Sequence, residues 1–246
     1  MTNEPARRTE YDRWIAGASP SAIMFRWGLG ALGQWLVNAP LMKLHQHLMM
    51  KPDQRWLDIG AGRGTLARFI ESRVGFRKAP VALDFSRAVL RLARDDQRGG
   101  GPQAALLQAT ATALPFPDAT FHVVTCGHLV KHLDDTELAT FLAEVRRVLA
   151  PGGLALLWDF APTGDARLDA WNRRVLSTGV HEQHFRTTRD LMAAATAAGF
   201  ELVRDARLRP FIAPPIPRAS IFIGKAPEGW TADAEPPRHG EPGHVH

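Results

Sequence analysis

The chain has 246 residues, 45% hydrophobic and 22% charged, a balance that suits one globular α/β domain with an appendage. Its net charge is +5 and its isoelectric point about 10.0, yet its arginines are dispersed among acids, as in Arg87, Arg91, Arg94, Asp95, Asp96 and Arg98. No basic cluster with interleaved aromatics marks a nucleic-acid partner. The single cysteine, Cys126, excludes an internal disulfide and fits a reducing, cytoplasmic setting; no signal peptide or bilayer-spanning run is expected.

In chain order, residues 1–18 read as a polar stretch with Tyr11 and Trp14 as its aromatics. Ser19-Pro20 has the form of an N-cap followed by proline at the first helical position. It predicts a helix to about Asn38, with Ile23, Trp27, Trp35 and Leu36 among its apolar residues. Pro40 breaks that helix and can start a second, in which Leu41, Leu44 and Leu48 share a face. Residues 1–50 therefore read as a helical cap packed on the core. A lid over a lipophilic acceptor, or a peripheral contact with a membrane surface, is the sharper alternative, since Trp- and Met-rich amphipathic helices suit both.

From Arg55 the pattern alternates. Strands are predicted at Trp56–Ile59, Val81–Asp84, Ala104–Ala109, Phe121–Cys126 and Leu154–Asp159. Helices fall between them over about Gly64–Arg73, Ser86–Asp95 and Asp134–Leu149. A helix near Leu168–Leu176, one over Leu191–Ala198 capped by Thr187 or Thr188, and strands at Phe200–Leu208 and Ala219–Lys225 complete the domain, 51–225. This rhythm predicts an α/β, doubly wound, mostly parallel seven-stranded sheet. The tail, 226–246, is rich in Pro, Gly, His and Glu and is expected to be disordered.

Chemistry concentrates in Trp56-Leu-Asp-Ile-Gly-Ala-Gly-Arg-Gly-Thr-Leu66. A short apolar run ends at Asp58, then Gly60, Gly62 and Gly64 lead into a helix. Glycines let main-chain N–H groups approach a ligand, and the helix N-terminus adds partial positive charge. Asp84 closes the next strand, where a carboxylate can accept hydrogen bonds from ribose hydroxyls. The Gly-x-Gly-x-Gly spacing departs from the Gly-x-Gly-x-x-Gly of dinucleotide binders. A carboxylate beside the turn suits a cationic amino group better than a pyrophosphate.

With these residues the sequence resembles the class I S-adenosylmethionine-dependent methyltransferases, most closely the ubiquinone and menaquinone biosynthesis branch. Four blocks carry the likeness: Leu57-Asp-Ile-Gly-Ala-Gly-Arg-Gly64, Val81-Ala-Leu-Asp-Phe-Ser86, Ala113-Leu-Pro-Phe-Pro-Asp118 and Arg146-Arg-Val-Leu-Ala-Pro-Gly-Gly153. The resemblance implies a Rossmann-like methyltransferase fold and S-adenosyl-L-methionine as cofactor. Asp58, Gly60, Ala61 and Gly62 would lie against its methionine part, Asp84 on the ribose, and Phe85 on the adenine unless it is plain core packing. Thr110, Ala111 and Thr112 would face the adenine edge, with Thr110 where the family carries an aspartate; a hydroxyl accepts one hydrogen bond without charge assistance. His122 is a second departure. The segment from Cys126 to Leu133 would pass the transferring methyl, although Cys126 also reads as a small buried hydrophobe.

His128, at the strand tip, and His181, in the segment after strand five, are the candidates for a catalytic base. His132 reads equally as a structural residue at a helix entry. His181 and His184 alone make a poor metal site, so no metal is expected. The implied activity is methyl transfer to a small lipophilic or aromatic acceptor. The alternatives are a non-catalytic protein that keeps the fold and a nicotinamide-dependent oxidoreductase; the glycine spacing disfavours the latter.

Overall fold

The computed structural model describes residues 4–28, 44–176, 183–208 and 217–227. Its centre is a seven-stranded sheet in the order β3-β2-β1-β4-β5-β7-β6. The strands are β1 (Trp56–Ile59), β2 (Val81–Asp84), β3 (Ala105–Gln108), β4 (Phe121–Gly127), β5 (Leu149–Phe160), β6 (Leu202–Asp205) and β7 (Arg218–Gly224). Strands β1 to β5 pair in parallel, while β7 runs antiparallel to both β5 and β6. The chain winds outward from β1 to β3, then returns to place β4 on the other side of β1. That reversal places a topological switch point at the carboxyl ends of β1 and β4, the position where such sheets bind ligands.

The helices are α1 (Glu4–Ala16), α2 (Pro20–Gly28), the single turn α3 (Leu44–His47), α4 (Thr65–Val74), α5 (Arg87–Arg98), α6 (Asp135–Val148), α7 (Ala166–Leu176) and α8 (Thr188–Ala197). Every residue of β1 is buried, as a central parallel strand requires. Its side chains alternate between two cores. Leu57 and Ile59 join Val124, Leu157 and the inner faces of α6 and α8, including Phe141, Leu142 and Leu191. Trp56 joins Val123, Leu156 and Trp158 under Leu66 and Ile70 of α4 and Leu44 of α3. Capping boxes start α6, through Asp134 and Glu137, and α8, through Thr187 and Asp190.

Three features differ from the sequence reading. The polar stretch 1–18 contains helix α1, anchored by Tyr11 and Ile15 packing on Val89 of α5 and by an ion pair from Arg7 to Glu137. Two apolar residues one turn apart give too little periodicity to announce a helix. Strand β5 begins at Leu149, so Pro151-Gly152-Gly153 lies inside the strand, with Gly152 at φ 74°. A Cβ on Gly153 would stand 2.8 Å from the Ala150 carbonyl oxygen. Strand β6 is shorter than predicted.

Ser19 caps α2 as expected, its Oγ accepting the Ala22 N–H at 3.2 Å. The predicted continuation to Asn38, the start at Pro40, the Pro-rich 209–216 loop and the tail beyond Pro227 lie outside the described residues. Among the described residues no helix is long and apolar enough to cross a membrane.

Candidate functional site

The glycine turn leaves β1 with Gly60, Gly62 and Gly64 at φ 71°, 56° and 66°, left-handed conformations that side chains resist. Gly60 is required twice over, since a Cβ there would meet the Leu129 side chain at 2.8 Å. The Gly60 and Ala61 N–H groups both donate to the Leu83 carbonyl, tying the turn to β2. The Gly62 N–H donates to Asp84 Oδ2 at 3.0 Å, and the Ser86 N–H donates to Asp84 Oδ1 at 2.9 Å. Asp84 therefore holds the backbone of two loops while keeping lone pairs for a ligand.

Asp58 stands on the same face of the sheet, one strand away. The Thr125 hydroxyl donates to its Oδ1 at 2.7 Å and accepts the Trp56 indole N–H at 2.9 Å. Burial raises the Asp58 pKa to about 7, against the Thr125 hydrogen bond and with help from Asp84. Burial likewise raises Asp84 to about 6, against the Ser86 and Gly62 N–H groups. Two buried carboxylates thus stand beside the glycine turn, and among the described residues no ion pair joins either of them to a cation.

Helix α1 reaches this site from outside. Asp12 accepts hydrogen bonds from the Ser86 hydroxyl at 2.5 Å and the Ala88 N–H at 3.2 Å. Phe85 packs on Tyr11 with ring centroids 5.1 Å apart. The Ala109 N–H bonds the Asp84 carbonyl, which brings the 109–112 loop alongside. There the Thr110 and Thr112 hydroxyls share a 2.9 Å hydrogen bond, and Ala111 is buried in the core. The His122 departure has a structural account: its Nδ1 accepts the Arg55 N–H at 3.1 Å and fixes the approach to β1.

Past the tip of β4, His128 holds φ 58°, a strained conformation for a residue other than glycine. Its ring packs on Phe160 at 4.6 Å, and its Nδ1 lies 3.8 Å from Asp159 Oδ1. Asp159 Oδ1 is also 3.4 Å from Lys131 Nζ, and its Oδ2 accepts the Lys131 N–H at 2.9 Å. Burial works against the Asp159 carboxylate, but Lys131 and His128 hold it well below the usual range. Burial lowers the His128 pKa, with Lys131 and Arg218 adding to the shift against Asp159, so a neutral imidazole is favoured. A neutral imidazole at a strand tip can accept a proton.

The structure brings Asp58, Gly60, Ala61, Gly62, Asp84, Phe85 and Thr110 to the carboxyl edge of the sheet, with His128 at its β4 end. The Cys126 thiol is fully buried in the core, and burial pushes its pKa well up; only its main chain sits at the strand tip. His132 lies in a 3-10 turn, Val130–His132, its N–H donating to the Leu129 carbonyl. His181 lies outside the described residues, while the N–H of His184 bonds the Lys131 carbonyl. Lys131 and Asp159 escaped sequence reasoning. Asp159 was recoverable as a carboxylate at the carboxyl end of a parallel strand, as Asp58 and Asp84 are. Nothing local marks Lys131 as a buried cation. Among the described residues no group of three or more His, Cys, Asp or Glu is placed to hold a metal.

Residues 57–153 match the family described as a methyltransferase domain. The chain is 38% identical over 112 residues to the demethylmenaquinone methyltransferase of Thermus thermophilus, covering 46% of this chain and 50% of that one. It is 34% identical over 167 residues to the 2-phytyl-1,4-naphtoquinone methyltransferase of Thermosynechococcus vestitus, covering 60% of this chain and 72% of that protein. The chain thus spans about half the length of the Thermus relative. Among solved structures it is similar to phosphoethanolamine N-methyltransferase 2 of Haemonchus contortus in complex with S-adenosyl-L-methionine. The TM-score is 0.68 at 18% identity, covering 89% of this chain and 60% of that one. At that identity the likeness speaks for the fold.

Proposed function

We infer the function of this protein from its family: the chain belongs to the S-adenosylmethionine-dependent methyltransferases. It transfers a methyl group to a small lipophilic acceptor, of the quinone type that its relatives' names specify. The observation that carries the reading is the pair of buried carboxylates, Asp58 and Asp84, on one face beside the glycine turn. S-Adenosyl-L-methionine supplies a sulfonium methyl that is already electrophilic.

Asp58 takes the cofactor's ammonium, and Gly60, Ala61 and Gly62 admit its methionine part without a Cβ in the way. Asp84 accepts from the ribose hydroxyls with the lone pairs left by Gly62 and Ser86. Phe85 lies on the adenine, and Thr110, Ala111 and Thr112 border its edge. Main chain at Cys126 flanks the methyl, with His128 placed to take a proton from the acceptor. His181 keeps its candidacy as a second base from sequence alone. The main work of the chain is to align nucleophile and methyl and to exclude water.

The organisation that goes with this function is a helical cap over 1–50, the cofactor-binding domain over 51–225 and a tail over 226–246. A cytoplasmic setting suits it. Exposed Ile23, Met24 and Trp27 on α2 would let the cap touch a membrane surface from which a lipophilic acceptor arrives.

The test is calorimetric titration with S-adenosylhomocysteine. The wild type binds saturably, and Asp58→Asn, which keeps the Thr125 bond but removes the charge, weakens binding about 10- to 100-fold. That is the worth of a charged hydrogen bond. Equal affinity in the variant would remove Asp58 from the site.

A further inference from the structure

The indole N–H of Trp158 is a buried polar group that neither the core packing nor the cofactor reading uses. It stands on β5 on the same face as Trp56 and Val123 and lies opposite Gly127 of β4. Its indole lies across the tip of β4. A Cβ on Gly127 would come within 2.3 Å of Cε2 and Cζ2 and 2.6 Å of Nε1. The His128 ring meets it edge-on, with centroids 6.5 Å apart. Gly60, also without a side chain on this edge, follows Ile59, which pairs with Cys126.

Trp158 is 2% exposed, and its Nε1 has no hydrogen-bond partner among the described residues. Trp56, on the same face, has its N–H satisfied by Thr125. A buried donor left unmade costs stability, and a phenylalanine would fill most of the same space without that cost. The donor is placed beside the strand tip that would border the transferring methyl, one residue before His128.

We propose that the Trp158 indole N–H donates a hydrogen bond to a ring oxygen of the methyl acceptor, a carbonyl or phenolic oxygen, and so selects oxygen-bearing aromatic acceptors. The proposal rests on the reading of this chain as a methyltransferase for quinone-type molecules. A site built to bond an oxygen discriminates against analogues lacking it, because its donor is then left buried and unpaired. Gly127 is part of the device, since any side chain there would displace the indole.

The experiment uses the full ¹⁵N-labelled chain loaded with S-adenosylhomocysteine, with 1,4-naphthoquinone as the probe. The Trp158 indole N–H resonance is assigned by its absence in Trp158→Phe or, should that variant not fold, by its NOE contacts to the Gly127 α-protons. Naphthoquinone is expected to bind the loaded wild type and move this resonance downfield. Trp158→Phe should weaken naphthoquinone binding about tenfold, as for one lost neutral hydrogen bond, while leaving S-adenosylhomocysteine affinity unchanged. Three results would overturn the proposal: a resonance that moves with S-adenosylhomocysteine alone, naphthoquinone binding that leaves it unmoved, or no naphthoquinone binding to the loaded protein. Failure of the wild type to bind S-adenosylhomocysteine is a separate outcome, and it would remove the methyltransferase reading and this proposal together.

Discussion

The protonation of Asp58 and Asp84 couples cofactor binding to pH. In the ligand-free protein burial sets their pKa values at about 7 and about 6, so each holds a proton through part of the range in which an exposed carboxylate is ionised. From the ordinary 3.8 up to about 7, folded Asp58 binds a proton that the unfolded chain lacks. Its contribution to stability is therefore full below 3.8 and is lost as the pH rises through about 7, the reverse of a salt-bridged acid. An ammonium and hydroxyl ligand favours the ionised forms and so displaces protons. We predict that S-adenosylhomocysteine affinity rises from pH 5 and levels off above about 7, by about tenfold per pH unit where one carboxylate dominates. At pH 6 the binding enthalpy should be more exothermic in Tris than in phosphate, because Tris takes up the released proton with more heat. Identical enthalpies in the two buffers would mean that both carboxylates are already ionised in the free protein.

At the scale of elements, the edge formed by β4 and β5 is set by a pair of residues. Gly127 is close-packed under the Trp158 indole, with a would-be Cβ contact of 2.3 Å. Its φ is not in the left-handed region, so alanine meets a packing conflict there and no backbone one. Gly127→Ala should cost about 1–3 kcal/mol, the usual range for overpacking a filled core. Adding Trp158→Leu should recover part of that loss, which a thermal-denaturation double-mutant cycle would register as coupling. Additive losses would show that the indole moves aside freely. This pair also shows where the sequence stops being informative. The buried run of β1, its glycine turn and the carboxylate that closes β2 are local patterns, and all fall in the fold where the sequence put them. The meeting of Gly127 with Trp158, or of His128, Lys131 and Asp159, depends on which strands become neighbours. No spacing within one strand carries that information.

For the molecule as a whole, the question is what the N-terminal region does. The sequence reads residues 1–50 as a cap or lid, but the described contacts of α1 are made with the loop after β2 and the starts of α5 and α6. Tyr11 and Ile15 pack with Val89 and Phe85, Asp12 holds the Ser86 hydroxyl and the Ala88 N–H, and Arg7 pairs with Glu137 at the start of α6. Helix α1 thus braces the loop whose first residue, Asp84, is assigned to the ribose. Removing residues 2–16 should lower Tm, since burial of a large apolar side chain contributes about 1.5–3 kcal/mol and two such residues are lost. It should also weaken S-adenosylhomocysteine binding, because the Phe85–Ala88 loop loses its outer support. Asp12→Ala isolates the second effect: it removes the hydrogen bonds to Ser86 and Ala88 while leaving Tyr11 and Ile15 in place. Weakened cofactor binding in both proteins identifies α1 as a brace for the ribose loop. Unchanged cofactor affinity with impaired acceptor turnover would return α1 to the role of a lid and leave α2, with its exposed Ile23, Met24 and Trp27, as its continuation toward the acceptor.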